Sequence, residues 1–515
     1  MSGVSDTLYP HLVRVLKDIT AFSAAFHGLR LRRYQRQAAQ AVIDSVLRGK
    51  GLSLVVMFPR QSGKNELQAQ IEAYLLTVLS RQPAEIVKIS PTWKPQSLNA
   101  MRRLERVLEI NPLLAGRWMK ESGYIYRVGQ ARITFLSGGP EAHIVGATAS
   151  TLLEVDEAQD VLTAKFDKDI APMAASTNAT RVFWGTAWTS QTLLARELRA
   201  AREAEQRDGQ RRAFVLNADQ VAAEVPPYAA FVAGQVTRLG RSHPMVRTQF
   251  FSEEIEAAGA MFPAERRAGM QGSHLPLAAP RPGYRYALLL DVAGADEAVR
   301  AGEDALANPG RDSTALTVVE LDRLDGADDL PAQTVFRMVQ RRQWTGTPHP
   351  QLYAEIRRLA EFWQAARLVV DATGVGAGLA GWLERALPGR VQPFTFNSAS
   401  KSRLGWDFIA LVEGGRYLEP RIPAEMAEDE QARLAALFWR QAAACEMEVL
   451  PGPERRLCWG VPETRRDPES GGLLHDDLLL SAALCAALEE TPPAAGTPAA
   501  VIRAADPLRE LDKGF

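Results

Sequence analysis

The chain has few cysteines, and none of them is arranged as a metal site. Its 515 residues include only Cys445, Cys458 and Cys485, which lie far apart and without the spacing of metal ligands. This composition indicates neither a disulfide framework nor a zinc site, and it fits buried or inert thiols in a reducing compartment.

Long apolar runs are also missing. No stretch reaches the roughly 18 uninterrupted apolar residues that cross a bilayer, and the first residues, MSGVSDTLYP, lack the pattern of a signal peptide. From these features we expect a soluble, intracellular protein that does not bind membranes.

The chain has almost no net charge. Sixty basic and 61 acidic residues leave a formal charge of −1, which argues against a protein that coats nucleic acid by bulk charge. Any contact with nucleic acid must be local, transient or shared between subunits. The content of 46% hydrophobic and 23% charged residues is that of an ordinary globular protein, and the length predicts about two to four domains.

One stretch, GLSLVVMFPRQSGKNE at positions 51–66, carries a nucleotide-binding pattern. An apolar run at 52–58 predicts a buried strand, a short polar loop follows, and periodic apolar residues at 67–79 predict a helix. This order directs backbone N–H groups and a helix N-terminus at phosphates, with Lys64 reaching their oxygens. The stretch departs from the usual G-x-x-x-x-G-K-[ST] because Phe58 replaces the first glycine and Asn65 the hydroxyl residue. Alone, it also fits an ordinary strand, turn and helix.

Upstream, Tyr34 and Gln35 precede a predicted amphipathic helix at 36–47. Such a pair can clamp an adenine, with the ring stacking on the base and the amide bonding its edge. It also fits a surface tyrosine and glutamine on a helix.

An acidic signal follows the P-loop by about 90 residues. In TLLEVDEAQD, apolar residues at 151–155 run into Asp156 and Glu157 at a strand end. This pattern suits an aspartate that holds Mg²⁺ and a glutamate that polarises the attacking water. Downstream, RVFWGTAWT ends a strand near Thr186, where a polar residue in helicase-like motors senses the γ-phosphate.

Between the P-loop and the acidic stretch lies a predicted helix that is rich in arginine, with Arg102, Arg103 and Arg106. This helix either faces DNA phosphates or forms a solvated surface. Residues 192–260 predict a lid of helices with one strand at 212–216. The Gly/Pro/Ala-rich segment 261–283 predicts a linker between an N-terminal domain, 1–260, and a C-terminal domain, 284–490. A Pro/Ala-rich tail, 491–515, is expected to be flexible.

Acidic residues mark three points in the second half. Predicted strands at 284–290 and 367–371 end at Asp291 and Asp371, and Asp476-Asp477 precedes an apolar helix at 478–488. Carboxylates from distant elements would converge so that two Mg²⁺ or Mn²⁺ ions flank a scissile phosphate, about 4 Å apart. The segment 312–320 alternates as an antiparallel neighbour of the first strand. This arrangement predicts an RNase H-like nuclease.

In the order of these signals, residues 30–490 resemble the large terminase subunit of tailed bacteriophages. The resemblance implies an α/β protein with an N-terminal P-loop (ASCE/RecA-like) ATPase, a lid and a C-terminal RNase H-like nuclease domain. In the ATPase half, the family's adenine motif resembles Tyr34-Gln35, its Walker A resembles Arg60, Gln61, Ser62, Gly63, Lys64 and Asn65, its Walker B resembles residues 152–157 with Asp156 and Glu157, and its coupling motif resembles the stretch at Thr186. In the nuclease half, the family's metal-binding acids match Asp291, Asp371, Asp476 and Asp477.

The resemblance further implies the activity, cofactors and partners. These are ATP-driven translocation of double-stranded viral DNA into a procapsid, and metal-dependent endonuclease cleavage at the start and end of packaging. ATP with Mg²⁺ would serve the ATPase, and two Mg²⁺ or Mn²⁺ ions the nuclease. We expect a homo-oligomeric ring, typically a pentamer, on a portal protein and beside a small terminase subunit, in the host cytoplasm.

Two departures from the family leave questions open. Many members carry an arginine shortly before Walker B that reaches the neighbouring subunit's ATP, but Val145-Gly146 stands at that point. Arg60, Arg132 or Arg181 is a candidate for this charge. Asn65 leaves open whether a side-chain carbonyl serves Mg²⁺, and either Asp476 or Asp477 is the principal metal ligand.

Two alternatives remain. A helicase-nuclease of repair or restriction shares the ATPase half but normally has a second motor domain, which residues 260–285 do not indicate. An ATP-binding module with a decayed nuclease half, used for docking DNA, is disfavoured because all four acids are present.

Overall fold

The computed structural model describes residues 12–142, 144, 146–294, 312–324, 333–426, 428–450 and 454–489. Val145 and the tail predicted at 491–515 lie outside these residues. The fold is α/β, with two large sheets and one small one. Of the residues described, no helix is both long and apolar enough to cross a bilayer.

The N-terminal domain is built on an eight-stranded sheet in the order β3-β4-β5-β2-β6-β7-β1-β8. Six neighbouring strands of this order run parallel: β5, β2, β6, β7, β1 and β8. At one edge, β3 pairs antiparallel with β4, and β4 pairs antiparallel with β5. The strands are β1 (Ser53–Met57), β2 (Ala84–Ser90), β3 (Trp118–Glu121), β4 (Ile125–Val128), β5 (Ala131–Ser137), β6 (Leu152–Val155), β7 (Thr180–Gly185) and β8 (Ala213–Val215).

Helices cover both faces of this sheet. They are α1 (Ile19–His27), α2 (Arg33–Leu47), α3 (Lys64–Val78), α4 (Leu98–Ile110) and α5 (Leu193–Asp208), with short helical turns between Ala158 and Ala174. The central strand β1 shows why its run is continuously apolar. Leu54 and Val56 pack into the core on one face, and Val55 and Met57 into the core on the other.

The predicted lid is divided between two structures. Strand β8 pairs in parallel with β1, so it belongs to the main sheet, and α5 packs against that sheet. The remaining helices, α6 (Ala218–Ala222), α7 (Pro226–Leu239) and α8 (Pro244–Phe251), lie beside the P-loop. Backbone and side-chain hydrogen bonds from Arg60 to Gln249, at 2.8 and 3.0 Å, hold α8 against that loop.

The segment expected to be a linker is packed against the C-terminal domain. Strand β9 (Ala258–Ala260) pairs with β16 (Glu446–Val449), which also pairs with β17 (Leu457–Gly460). After β9, Met261, Phe262 and Met270 are fully buried, and helix α9 (Ala264–Gly269) lies between them. The Gly/Pro/Ala-rich composition was therefore misleading about how this segment is held, because three of its few large apolar residues are buried against the C-terminal domain.

The C-terminal domain has a six-stranded sheet in the order β14-β13-β10-β11-β12-β15. Its strands are β10 (Arg285–Asp291), β11 (Ser313–Leu324), β12 (Gln333–Thr345), β13 (Arg367–Asp371), β14 (Val391–Phe394) and β15 (Tyr417–Leu418). Its helices are α10 (His349–Phe362), α11 (Gly376–Ala386), α12 (Ser398–Glu413), α13 (Glu430–Ala444) and α14 (Asp477–Ala483). The antiparallel pairing of β10 with β11 confirms the predicted neighbour, and β10 also pairs in parallel with β13.

Candidate functional site: a nucleotide cleft and an acidic strand edge

The P-loop lies at the carboxyl end of β1, between that strand and α3. Gln61 and Gly63 both have positive φ, +61° and +89°. The φ of Gly63 favours glycine, and a Cβ at this position would come within 2.7 Å of the Gln35 amide nitrogen, which would have to move. The buried Ser62 hydroxyl donates to the Pro59 carbonyl at 2.7 Å. These contacts within the chain define the shape of the loop, and helix α3 begins at Lys64.

Lys64 and Glu157 face each other across the base of a cleft. The Lys64 ammonium donates to the Phe58 carbonyl at 3.3 Å and lies 3.9 Å from a Glu157 carboxylate oxygen. Burial acts to raise the pKa of Glu157, but the charge of Lys64 and a hydrogen bond from Gln159 lower it. Glu157 is therefore held as a carboxylate, which is the form that can accept a proton from water.

Asp156 lies deeper, at the end of β6, and one of its oxygens accepts a hydrogen bond from the Gln68 amide at 2.9 Å. Its pKa is raised by burial, although the charge of Lys88 opposes this shift. Carboxylate oxygen is a preferred Mg²⁺ ligand, so Asp156 fits the metal role expected of it. A bound Mg²⁺ would neutralise phosphate charge there.

Sequence reasoning missed a buried ionic network behind Asp156. Lys88, Glu72 and Glu154 are 2%, 0% and 0% exposed, and the Lys88 ammonium lies 2.6 Å from Glu72. Burial alone would lower the pKa of Lys88, but Glu72, Glu154 and Asp156 raise it. The alternation of side chains along β2 places Lys88 on a buried face. A lysine at a buried strand position was the sequence feature that could have revealed this network.

Gln159 connects the Walker B and coupling motifs. Its amide nitrogen donates to Glu157 at 2.8 Å and to Asp160 at 3.1 Å, and its oxygen accepts the Thr186 backbone N–H at 3.1 Å. The Thr186 side chain lies in the wall of the same cleft. The strand end that was expected to sense the γ-phosphate is thus in contact with the expected water-activating residue through one side chain.

Tyr34 and Gln35 form hydrogen bonds with the backbone of the P-loop. Tyr34 is 5% exposed, and its hydroxyl donates to the Ser62 carbonyl at 2.8 Å. Its ring meets Phe58 edge to face at 5.4 Å. The Gln35 amide donates to the Gly63 carbonyl at 3.2 Å. These contacts hold the loop, and the adenine contact of the two residues remains a prediction.

The arginines expected to serve the nucleotide occupy different places. Arg60 and Asn65 line the cleft. Arg132 and Arg181 lie near the amino ends of β5 and β7. Because these strands run parallel to β1 and the P-loop follows the carboxyl end of β1, the two arginines lie at the opposite end of the sheet from the P-loop of their own chain. On α4, Arg103 and Arg106 pair with Glu66 at 3.0 and 2.9 Å, so they form part of the P-loop helix surface.

The cleft has a volume of about 1100 Å³ and includes residues of both domains. Helix α12 and the loop before β17 form the wall opposite the P-loop. Their cleft-lining residues include Arg403, Trp406, Asp407, Arg455 and Arg456. No motif in the sequence indicated this wall.

The second site lies at one edge of the C-terminal sheet. Asp291 and Asp371 end the neighbouring parallel strands β10 and β13. Asp477 opens α14 and accepts the Ser313 backbone N–H at 3.0 Å. Asp476 precedes it and lies 4.0 Å from the Lys401 ammonium. The fold therefore brings together four carboxylates that are separated by up to 186 positions in the chain.

These carboxylates influence one another electrostatically. Burial and then the charges of Asp477, Asp371 and Asp476 raise the pKa of Asp291 well above its ordinary value. Burial, followed by nearby carboxylates, raises the pKa of Asp477 to about 7. Oxygen donors with mutual repulsion fit hard divalent cations. In the described part of the chain no three His, Cys, Asp or Glu side chains form a preassembled metal cage, so metal binding remains a prediction.

Close packing holds Asp371 in place. The Thr373 backbone N–H donates to its carboxylate at 2.8 Å. At Gly376 a Cβ would lie 2.3 Å from the Asp371 carbonyl oxygen. The ATGVG stretch after β13 is therefore glycine-rich because α11 begins directly against the end of the strand.

Comparison with known proteins gives one family match. Residues 304–431 match the model of the terminase RNaseH-like domain, Terminase_6C. No match was found among curated proteins.

Several solved structures are similar at low identity. The HK97 bacteriophage large terminase is 15% identical, covering 92% of this chain and 99% of its own, with a TM-score of 0.41. The large terminase of the thermophilic bacteriophage D6E is 9% identical, covering 89% and 99%, with a TM-score of 0.44. The large terminase nuclease of thermophilic phage G20c with bound magnesium is 17% identical, covering 44% and 96%, with a TM-score of 0.29.

Proposed function

We propose that this chain is a motor-nuclease that packages viral DNA, with a P-loop ATPase domain followed by the terminase RNaseH-like domain whose family model matches residues 304–431. In this role it moves double-stranded DNA into a procapsid by ATP hydrolysis and cuts the DNA concatemer with a metal-dependent endonuclease. The observation that carries the proposal is the presence in one chain of a shaped P-loop with a facing glutamate and a separate edge of four carboxylates.

For ATP hydrolysis, each residue has a role that follows from its position. The P-loop amides and Lys64 bind the phosphates, and Asp156 would hold Mg²⁺. Glu157 orients a water and accepts its proton as oxygen attacks the γ-phosphorus and the bond to ADP breaks. The Thr186 backbone, joined to Glu157 through Gln159, passes the change at the phosphate to β7.

For DNA cleavage, Asp291, Asp371 and Asp476 or Asp477 would hold two Mg²⁺ or Mn²⁺ ions. These ions would supply a water nucleophile and stabilise charge on the scissile phosphate. The protein's own contribution is to hold carboxylates from two strand ends and one helix start at the same edge. Lys401, 4.0 Å from Asp476, adds a positive charge that would attract a DNA phosphate.

The partners of the proposed motor are double-stranded DNA, a portal protein, a small terminase subunit and further copies of this chain in a ring. The ring acts in the host cytoplasm, transiently on the procapsid, and is absent from the mature virion. Because the chain is nearly neutral, its affinity for DNA would come from local positive charges that are repeated around such a ring.

The test is a plasmid-digestion assay of the full chain with Mn²⁺, with and without ATP, alongside a DNA-stimulated ATPase assay. We expect cleavage that requires the metal and hydrolysis that requires the P-loop. ATP hydrolysis without cleavage would favour an ATP-binding module that docks DNA. Strand separation of a short duplex would favour a helicase-nuclease. The full chain is needed because residues 258–270 pack into the C-terminal domain.

A further inference from the structure

Arg455, a side chain of the nuclease domain, contacts residues that follow the catalytic motif of the ATPase domain. Arg455, in the loop before β17, lies 3.4 and 3.5 Å from the two carboxylate oxygens of Asp160. Its guanidinium carbon also lies 4.7 Å from the centre of the Trp188 ring. Asp160 lies three residues beyond Glu157, the last residue of Walker B, and Trp188 is two residues beyond Thr186. Both contacts of Arg455 are therefore with residues that closely follow the Walker B and coupling motifs.

Arg455 is held in this position from its own domain. Its φ is +51°, which is unusual for a residue with a side chain. Its backbone carbonyl accepts a hydrogen bond from the Trp406 indole at 3.4 Å, and the Trp406 ring packs on Trp188 at 5.7 Å. Arg455 is only 16% exposed. Strained backbone held by surrounding contacts is a feature of functional sites.

A short chain of hydrogen bonds leads from Arg455 to Glu157. Arg455 pairs with Asp160, and Asp160 accepts one N–H of the Gln159 amide. The same amide nitrogen donates to Glu157, and its oxygen accepts the Thr186 N–H. All the amide's hydrogen-bonding groups are therefore used in one orientation. That orientation sets the direction of the Glu157 carboxylate.

We propose that Arg455 is a positioning residue of the ATPase site, supplied by the nuclease domain of the same chain. It anchors Asp160, which fixes Gln159 and thereby aims Glu157 at the attacking water. Hydrolysis is then fast only while the nuclease domain is docked, so movement of that domain switches the ATPase. This proposal rests on the proposed ATPase function and adds a connection between the two domains.

Removal of Arg455 should act on the chemical step more than on nucleotide binding. Without its cation, Asp160 no longer holds the Gln159 amide, and Glu157 samples other directions. In DNA-stimulated ATPase assays of the full chain we expect Arg455→Ala to lower kcat about tenfold and to change KM for ATP less than about twofold. Arg455→Lys keeps the charge but not the two-pronged geometry, so it should restore part of the rate.

A matched control is Arg465→Ala. Arg465 belongs to the same domain but pairs with Glu446, and it is not among the residues that line the cleft. Its kcat should equal that of the parent chain. Equal effects of the two alanine variants, or a rise in KM that accounts for the whole loss, would overturn the positioning role.

A double-mutant cycle tests the path itself. If Arg455 acts through Asp160, Asp160→Asn combined with Arg455→Ala should lower kcat no further than the larger single effect. Independent, multiplying losses would overturn the path. Mn²⁺-dependent plasmid cleavage by each variant should stay at the parent level, and a joint loss of cleavage would show that Arg455 is structural. If the parent chain itself hydrolyses no ATP, the proposed function fails instead.

Discussion

The two sites of this protein treat negative charge in opposite ways. In the nucleotide cleft, acidic residues are matched by cations, as Glu157 is by Lys64, Asp160 by Arg455 and Glu72 by Lys88. At the acidic edge of the C-terminal sheet, carboxylates face chiefly one another, with Lys401 as a neighbouring cation. A site whose acids are already balanced suits an anionic nucleotide with its own metal. A site of mutually repelling acids suits divalent cations.

The sharpest way to separate the sites is to remove the water-activating residue. Glu157→Ala should lower ATP hydrolysis about 10³-fold, since removing a general base costs this order, and should leave Mn²⁺-dependent plasmid cleavage unchanged. Glu203→Ala, on the exposed face of α5, is the control. Parallel ATPase and cleavage assays measure both activities. Loss of both in a folded variant would contradict the separation.

The reverse change is Asp291→Asn, which keeps the shape of the side chain and removes the charge that holds a divalent ion. We expect cleavage to fall about 100-fold or more, with ATPase activity unchanged. Asp322→Asn, on β11 and paired with Arg337, should cut DNA normally. Unchanged Mn²⁺-dependent nicking by Asp291→Asn would remove Asp291 from the metal site.

The balanced charges behind the cleft predict a loss of stability when Lys88 is removed. Lys88→Met leaves Glu72 and Glu154 buried without their cation, which should cost about 3–5 kcal/mol of unfolding free energy. Lys120→Met breaks an exposed pair with Glu105 and should cost about 0.5 kcal/mol. Urea denaturation measures both. Similar losses would show that the buried pair adds nothing beyond a surface one.

The loss of unfolding free energy caused by Lys88→Met should also depend on pH. Burial and then Glu72 raise the folded-state pKa of Glu154 well above its ordinary value, so the folded state binds this proton more readily than the unfolded state. Stability from this group is present at low pH and is lost as pH rises through the folded pKa. Lys88→Met removes an opposing charge, so its deficit should be larger at pH 8 than at pH 6.

The smallest expected effect is at Tyr34. Tyr34→Phe removes the hydroxyl that donates to the Ser62 carbonyl but keeps the ring, so it should lower stability by about 1 kcal/mol. KM for ATP should change less than about twofold. A larger increase in KM would show that the loop brace, and not ring stacking, is what the nucleotide needs.

Sequence patterns predicted the elements that depend on near neighbours. The strand before the P-loop, the aspartates at the ends of β10 and β13, and the antiparallel pairing of β10 with β11 were all anticipated, because apolar runs and turn residues specify them locally. The packing of residues 261–270 was not anticipated. Its composition resembles a linker, and the burial of Met261 and Phe262 depends on a surface supplied almost 200 residues later.

By itself, the sequence determined that one chain would hold a P-loop, followed by one strand that ends in acidic residues and one that ends in a polar residue. It also determined that acidic residues would stand at three places in the second half of the chain. Only the tertiary structure decided which charges meet. Asp160 and Arg455 are 295 positions apart, and no periodicity links them, since a contact between domains leaves no repeat in either segment. The nucleotide cleft is consequently a site of both domains, although its motifs lie in one.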